Sequence, residues 1–445
     1  MRAQDYIQHT LKSIPDLFAL NVKDPGRYPH LLVSSAKGND LSRYDILFAF
    51  PGETIVYEYG KSFLQHLDSV FAQEKIDPVE TTIPFIGGWF LYLGYELAAE
   101  IEPCLKLPQD NILPVAFATR FPVAIIVDHK EKNAYIISEP EAAAKIDSIL
   151  DDINKLGHAE HLYQQEIEIS SLIEDDPDVY LQQVEQVKNY IVEGDVFQVN
   201  LSRGWRTQLK TNIYHASLLW SLTRNNPGPF NALVTIGDAA IISSSPERLI
   251  KVKGGTIETR PIAGTRPRSI DHVNDQALSD ELMRHPKERA EHIMLIDLER
   301  NDLGRICQPG SVVVDELMSL ETYQHVHHIV SNVCGRLQTN TTPGKIISAV
   351  FPGGTITGCP KVRCMEILAE LEQTSRNAYT GSLGYLNRDG SMDLNILIRT
   401  IIRKGMEIQF RAGGGIVADS DPVHELKETR AKAKGMIMAL GIDSQ

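Results

Sequence analysis

Two acid-bearing segments carry residue types that bind cations and move protons. Near the C-terminus, Glu425, Glu428 and Lys432 fall at i, i+3 and i+7 behind Asp421-Pro422. That pair reads as an N-cap with proline at the first helical position, so the three charged residues share one helical face. An isolated stripe of this kind is an ordinary solvated face, and it is the preceding segment that shifts the balance. Gly413, Gly414 and Gly415 follow the run MEIQF, and three glycines there predict a loop whose backbone N–H groups can cradle a carboxylate or phosphate. The segment PKERAEHIMLIDLERNDLG places Glu288 and Glu291 at i and i+3. Taken alone, it is an ordinary amphipathic helix. Two carboxylates from separate helices can nevertheless hold one Mg²⁺, an ion that takes its remaining ligands from water and substrate.

Two further stretches invite readings that are rejected or narrowed. FPGGTITGCPK spaces Gly353 and Gly358 as in a phosphate loop, but Cys359-Pro360-Lys361 stands where Lys-Ser/Thr should follow, so a nucleoside triphosphate site is excluded. A glycine turn with Thr357 running into a helix still favours an anion at the helix N-terminus. No G-x-G-x-x-G follows a strand, so dinucleotide binding has no support. Gln324-His325-Val326-His327-His328 lies in a β-like run, where alternate residues face opposite ways. One histidine facing a pocket, His328, is therefore favoured over a zinc site.

The elements that must position these groups read as a mixture of strands and long helices. AIIVDH and AYIIS (124–138), VFQVNLSR, FNALVTIG, AAIISSS, ERLIKVKGG and TIETRP have the apolar content and glycine turns of successive strands. Helices are expected at 276–303, 360–372 and from Pro422 to Leu440. The regular strand–helix alternation of a doubly wound sheet is missing, so the class is α+β. Composition turns acidic from EPEAAAKIDSILDDINKL to about Asp178. This divides the chain into an N-terminal region, 1–165, and a catalytic region, 178–440, expected to intertwine in one compact unit.

Composition bounds the function. The 445 residues include 44 basic and 58 acidic ones, a formal charge of −14, which argues against nucleic acid or an anionic membrane as partner. An anionic substrate would need local positive charge. The N-terminal sequence has no signal-peptide pattern, and no segment approaches the ~18 uninterrupted apolar residues of a membrane span. The odd set of cysteines, Cys104, Cys307, Cys334, Cys359 and Cys364, reads as reduced thiols of a cytoplasmic protein.

Taken in order, SSSPERL (243–249), TRPIAGTRPR (259–268), RAEHIMLIDLERNDLGR (289–305), VHHIVS (326–331), FPGGTITGCPKVRCMEI (351–367), IRT (398–400) and AGGGIVADSD (412–421) resemble the chorismate-utilising enzyme family across nearly the whole chain. The resemblance implies large, mainly antiparallel sheets packed in a sandwich with flanking helices, and chorismate, a small dianion, as substrate. It implies Mg²⁺ held by Glu291 and Glu428, with Glu425 in the outer shell or binding through water. Gly413, Gly414 and Gly415 would add backbone hydrogen bonds to the ring carboxylate. Arg399, Tyr379 and Lys432, with Thr357, match substrate-holding positions, and Glu247 matches the general acid/base that protonates the departing C4 hydroxyl. His328 matches a histidine that orients or shields the ring. Ser34, Leu41, Ser42, Arg43, Tyr44, Pro229, Phe230 and Asn231 match an amino-acid pocket that holds tryptophan in relatives, although simple packing between two sheets explains them equally well.

Within the family, the water-adding members carry a lysine base where FQVNLSR has Gln198. Glutamine is no base, so ammonia is the expected nucleophile, delivered by a glutamine amidotransferase subunit in a heterodimer. HLLVSSAKGNDLSRYDILFAFP (30–51) and GGWFLYLGYELAAEIEP resemble the aminodeoxychorismate synthases, whose large subunit is the expected activity. Ala263 points the other way, because many of those enzymes carry a nucleophilic lysine there and anthranilate synthases carry alanine. Anthranilate synthase component I is therefore the alternative.

Overall fold

The computed structural model describes residues 5–35, 42–156, 161–269, 271–322 and 326–442. Among these, a twelve-stranded and a ten-stranded sheet form. Every strand pairing within them is antiparallel. Residues from both sides of the acidic stretch meet inside each sheet. His30–Val33 pairs with Phe230–Ile236 in the first, and Gly88–Leu93 pairs with Ser382–Asn387 in the second.

Successive strand residues point to opposite faces, and here both faces are buried. Leu31, Leu47, Ile125, Leu233 and Ile242 enter a core covered by the helices Leu17–Lys23, His215–Asn225 and Pro422–Ala439. Their neighbours Phe48, Ile126, Val234 and Ile241 enter a second core shared with Phe90, Phe117 and Leu383 of the other sheet. Such positions contribute roughly 1.5–3 kcal/mol each, and they account for the near-continuous apolar runs in the sequence. A third core lies between the second sheet and the helices Phe63–Glu74, Pro286–Gly304 and Pro343–Val350. The layers therefore run helix, sheet, sheet, helix. Gly254 and Gly255, both at positive φ, close the tight hairpin between Arg248–Lys253 and Thr256–Thr259.

Two local expectations are corrected. The helix expected at 276–303 is two helices, His272–Arg284 and Pro286–Gly304. Pro286 has no N–H to continue the first, and His285 before it is extended at φ −66, ψ 114. The glycine run is not a loop. Gly413, Gly414 and Gly415 lie inside strand Glu407–Ile416, opposite Ser202, Leu201 and Asn200. The neighbouring strand Thr400–Lys404 pairs only as far as Phe410, so among the described residues the other edge of the glycines is open.

Candidate functional site

The open edge of the glycine strand faces the C-terminal helix. Asp421 caps that helix, its Oδ1 accepting from His424 N at 2.8 Å, and Pro422 fills the first position. A methyl group built on Gly414 would lie 3.4 Å from Glu425 Oε2, 3.7 Å from Glu428 Oε1 and 3.7 Å from Lys432 Nζ. The absence of a side chain at Gly414 thus leaves a small cradle bounded by two carboxylates and an ammonium. Lys432 Nζ donates to Gly413 O at 3.0 Å and pairs with Glu428 Oε1 at 2.7 Å. Glu425 is buried and accepts from Ser420 Oγ at 2.7 Å. Burial raises its carboxyl above the ordinary range against that bond, and Glu428 raises it further. Ligand atoms of His424, Glu425 and Glu428 lie within 4.8 Å of one another. Hard oxygen donors beside a side-chain-free strand suit Mg²⁺. Glu291 lies outside that group, half-buried on Pro286–Gly304.

Tyr379 closes the other side. Its hydroxyl sits 2.7 Å from where a Gly413 methyl would be, and burial, opposed by Arg376, pushes it up to about 12. The Tyr180 hydroxyl, buried without a hydrogen-bond partner, feels Glu425, Tyr379 and Glu428. Behind Tyr379, the buried Glu372 accepts from Arg376 Nη2 at 2.6 Å, Ser202 N at 2.8 Å and Ser202 Oγ at 2.7 Å, and pairs with Arg411 at 3.2 Å. These groups line a cavity of about 330 Å³. The side chain of Gln198 points at Gly415, whose missing Cβ position lies 2.0 Å from Gln198 Nε2.

The second half of the site centres on Glu247, 6% exposed at the end of Ala239–Ser245. Burial raises its carboxyl to about 7, against Thr355, the Ile262 backbone and Arg399, which lower it. Thr355 Oγ1 donates to Glu247 Oε1 at 2.9 Å. Arg399 sits in the left-handed region at φ 53, its carbonyl accepting from Ser244 N at 3.1 Å. This places its guanidinium, depressed by burial, within electrostatic reach of Glu247. His328 is also buried. Desolvation first and Arg399 second lower its imidazole to about 4, leaving it neutral, with Nδ1 3.4 Å from Gly264 O. Ala263, 8% exposed, pairs with Ile329 one residue away. The two halves meet through 378–400, where Thr380 N donates to Leu397 O and Leu397 N to Gly381 O.

Thr357 is fully buried and its hydroxyl donates to Gly353 O at 3.0 Å, whereas the neighbouring Thr355, not singled out in the sequence, holds Glu247. His327 and His328 point to opposite faces. His327 binds Asp275 and Thr322, and Gln324 and His325 lie outside the described residues. Ser34, Arg43, Tyr44, Pro229, Phe230 and Asn231 line one cavity of about 400 Å³, so they surround space rather than simply pack. The Ser42 hydroxyl is buried without a partner, and Leu41 lies outside the described residues. Tyr180 and Thr355 had no signal in residue spacing, because each reaches the site from an element whose placement is non-local, whereas His424 stands four residues before Glu428 on the same helix and was legible there.

A helix–sheet–sheet–helix sandwich that gathers a buried acid, a buried arginine and an acid-flanked glycine strand has the makings of an enzyme for a small anionic substrate. The family model described as chorismate binding enzyme matches residues 28–438, and the chain belongs to that family. It is 42% identical over 364 residues to an anthranilate synthase component I-like protein of Synechocystis sp., covering 80% of this chain and 73% of the relative. It is 40% identical over 447 residues to aminodeoxychorismate synthase component 1 of Bacillus subtilis, covering 94% and 93%. The crystal structure of anthranilate synthase component I from Streptococcus pneumoniae superposes with a TM-score of 0.80 at 31% identity, covering 90% of this chain and 93% of that one. The protein is a chorismate-utilising enzyme with the fold of anthranilate synthase component I.

Proposed function

We propose that this chain is the large subunit of an aminodeoxychorismate synthase, which forms 4-amino-4-deoxychorismate from chorismate and ammonia. The observation that carries the chemistry is Glu247, a buried carboxyl held near 7 beside a buried arginine. Its proton passes to the C4 oxygen as the C–O bond breaks, and water leaves. The incoming ammonia forms the new C–N bond and gives up one proton, which restores Glu247. Arg399 and Lys432 supply the positive charge that the acidic chain lacks overall, and the open edge of the glycine strand offers hydrogen-bond donors to a carboxylate. Neutral His328 shields the ring face without adding charge. Glu428, with Glu291 from the other helix and Glu425 in the outer shell, would hold Mg²⁺, which when bound would neutralise the ring carboxylate and polarise the ring.

Ammonia rather than water as nucleophile is supported by Gln198, which stands at the lysine position and abstracts no proton. A separate amidotransferase is supported by four of the five thiols. Burial raises Cys307 to about 11 and Cys364 to about 12, and also raises Cys334 and Cys359, the reverse of an activated nucleophile. The B. subtilis relative covers nearly the full length of both chains and supports the choice of subfamily. Anthranilate synthase is the second reading because of Ala263, whose methyl group forms no covalent intermediate, and because of the Synechocystis relative. Tryptophan in the 400 Å³ cavity goes with either reading. Product analysis after incubation with chorismate, Mg²⁺ and ammonium decides. Aminodeoxychorismate, converted to 4-aminobenzoate by an added lyase, is expected, whereas anthranilate and pyruvate would overturn the subfamily. Glutamine without a partner should give no product.

A further inference from the structure

A buried acid that the chemistry above leaves unused ends on the loop that carries Tyr379. Glu96 lies in the short turn Tyr95–Leu97, 5% exposed. Its Oε1 accepts from Arg376 N at 2.7 Å and from Asn377 N at 3.1 Å, and Tyr95 N donates back to Asn377 O at 2.9 Å. Two successive backbone N–H groups converging on one carboxylate form an anion nest. The loop needs such an anchor. Gln373, Asn377 and Thr380 all stand in the left-handed region, at φ 50, 51 and 63, and side-chain-bearing residues persist there only where their surroundings hold them. The Arg376 guanidinium is not the partner of Glu96, being taken by Glu372, by Thr380 Oγ1 at 3.2 Å and by Asn200 O at 2.7 Å. Burial raises the Glu96 carboxyl to about 7, the N–H groups of Arg376, Glu96 itself and Asn377 oppose this, and Asp110 adds to the rise. Backbone amides, rather than a side-chain cation, thus stabilise the charge.

The loop in turn sets Tyr379. Tyr379 N donates to Arg376 O at 2.9 Å. The Arg376 guanidinium lies 4.9 Å from the Tyr95 ring centre and 5.5 Å from the Tyr379 ring centre, both within the range of a cation–π contact. Fixed at its backbone and its ring, Tyr379 brings its hydroxyl against Gly413. We infer that Glu96 is a positioning residue for the reaction, holding the N–H groups of Arg376 and Asn377 so that the Tyr379 hydroxyl stays over the glycine strand. The inference rests on Tyr379 holding chorismate, as its match in the family implies. Asp110, which is exposed, meets the same loop through Ser375 Oγ and through Asn377 Nδ2 at 2.9 Å. Those are side-chain contacts, whereas Glu96 holds the backbone whose conformation directs the Tyr379 ring.

The test is a double-mutant cycle between Glu96→Ala and Tyr379→Phe, read as kcat and KM for chorismate consumption in saturating Mg²⁺ and ammonium, below the melt of every variant. Consumption is followed, so the outcome does not depend on which product forms. Each single change should lower kcat/KM by ~10-fold or more, mainly through KM, the effect of one lost hydrogen bond to a charged group. In the Tyr379→Phe background, Glu96→Ala should cost less than about threefold, because the hydroxyl it positions is already gone. Glu96→Gln keeps an oxygen for both N–H groups and should stay within about threefold of the parent. Equal losses from Glu96→Ala in the two backgrounds overturn the inference, since additivity is the mark of a purely structural role. A Tyr379→Phe enzyme with parental kcat/KM overturns it in a distinguishable way, by removing Tyr379 from the substrate. Should Glu96→Ala not fold, Glu96→Asp, which retracts the carboxyl by one methylene, takes its place in the cycle with the same expected outcomes.

Discussion

Gly414→Ala separates the ligand cradle from the fold that surrounds it. Gly414 occupies ordinary extended strand, so alanine meets no backbone strain, and replacing glycine typically gains up to about 1 kcal/mol through the unfolded chain. The new methyl would touch Glu425 Oε2 at 3.4 Å and Glu428 Oε1 and Lys432 Nζ at 3.7 Å, which are ordinary contacts. Crowding a carboxylate offsets part of the gain, so stability should change by no more than about 1 kcal/mol in either direction. Function should respond quite differently. The methyl fills the space through which a carboxylate or cation reaches the strand edge, and misplacement of about 1 Å at such a point costs ~10²-fold in rate. We expect kcat/KM for chorismate to drop by ~10²-fold or more in an assay with Mg²⁺ and ammonium, while the thermal melt stays within a few degrees of the parent. Gly413→Ala is the contrast, because its methyl would lie 2.4 Å from Leu201 O and should destabilise the strand itself. Parental kcat/KM for Gly414→Ala at limiting chorismate and Mg²⁺ would refute the cradle as the ligand site.

Glu247→Gln should cost ~10²–10⁴-fold in kcat, and the wild-type rate should fall as pH rises through about 7, because the proton-donating form exists below the value at which burial holds the carboxyl and is lost above it. An activity that keeps climbing past pH 8 would count against Glu247 as the acid. Thr355→Val removes a hydrogen bond that lowers Glu247, so that alkaline limb should move to higher pH, as a pH–rate profile reads directly. Glu372→Ala leaves Arg376 and Arg411 facing a dry site without their anion and should destabilise by about 3–5 kcal/mol in urea unfolding. Burial alone would raise the Glu372 carboxyl, but Arg376 and Arg411 outweigh it and hold it below the ordinary range. Its contribution to stability is therefore present above the unfolded value of about 4.3 and is lost as pH falls through the folded one, which denaturation midpoints across that window will show.

By itself, the sequence determined what repeats along the chain. Apolar runs and glycine turns marked the strands, Asp421-Pro422 marked the start of the last helix, and the spacing of Glu425, Glu428 and Lys432 placed them on one face, because strand runs and the helix period are local properties. Ordered motifs from 243 to 421 pointed to the family without reference to packing. Tertiary structure decided what those faces meet. Gly413 to Gly415 became the half-open edge of a strand because Gln198–Gln208 pairs along them and Thr400–Lys404 stops short, a register that no glycine count contains. Thr355 rather than Thr357 reaches Glu247 because the turn at 354–356 sends one hydroxyl outward and the other back to Gly353. Glu299 and Asp302, read in the sequence as part of an amphipathic helix, end up buried together, with Lys361, from 59 residues further along, paired to Asp302. Charge and proton affinity depend on which groups are brought into the same dry space, and only the long-range packing of helices on the two sheets fixes that.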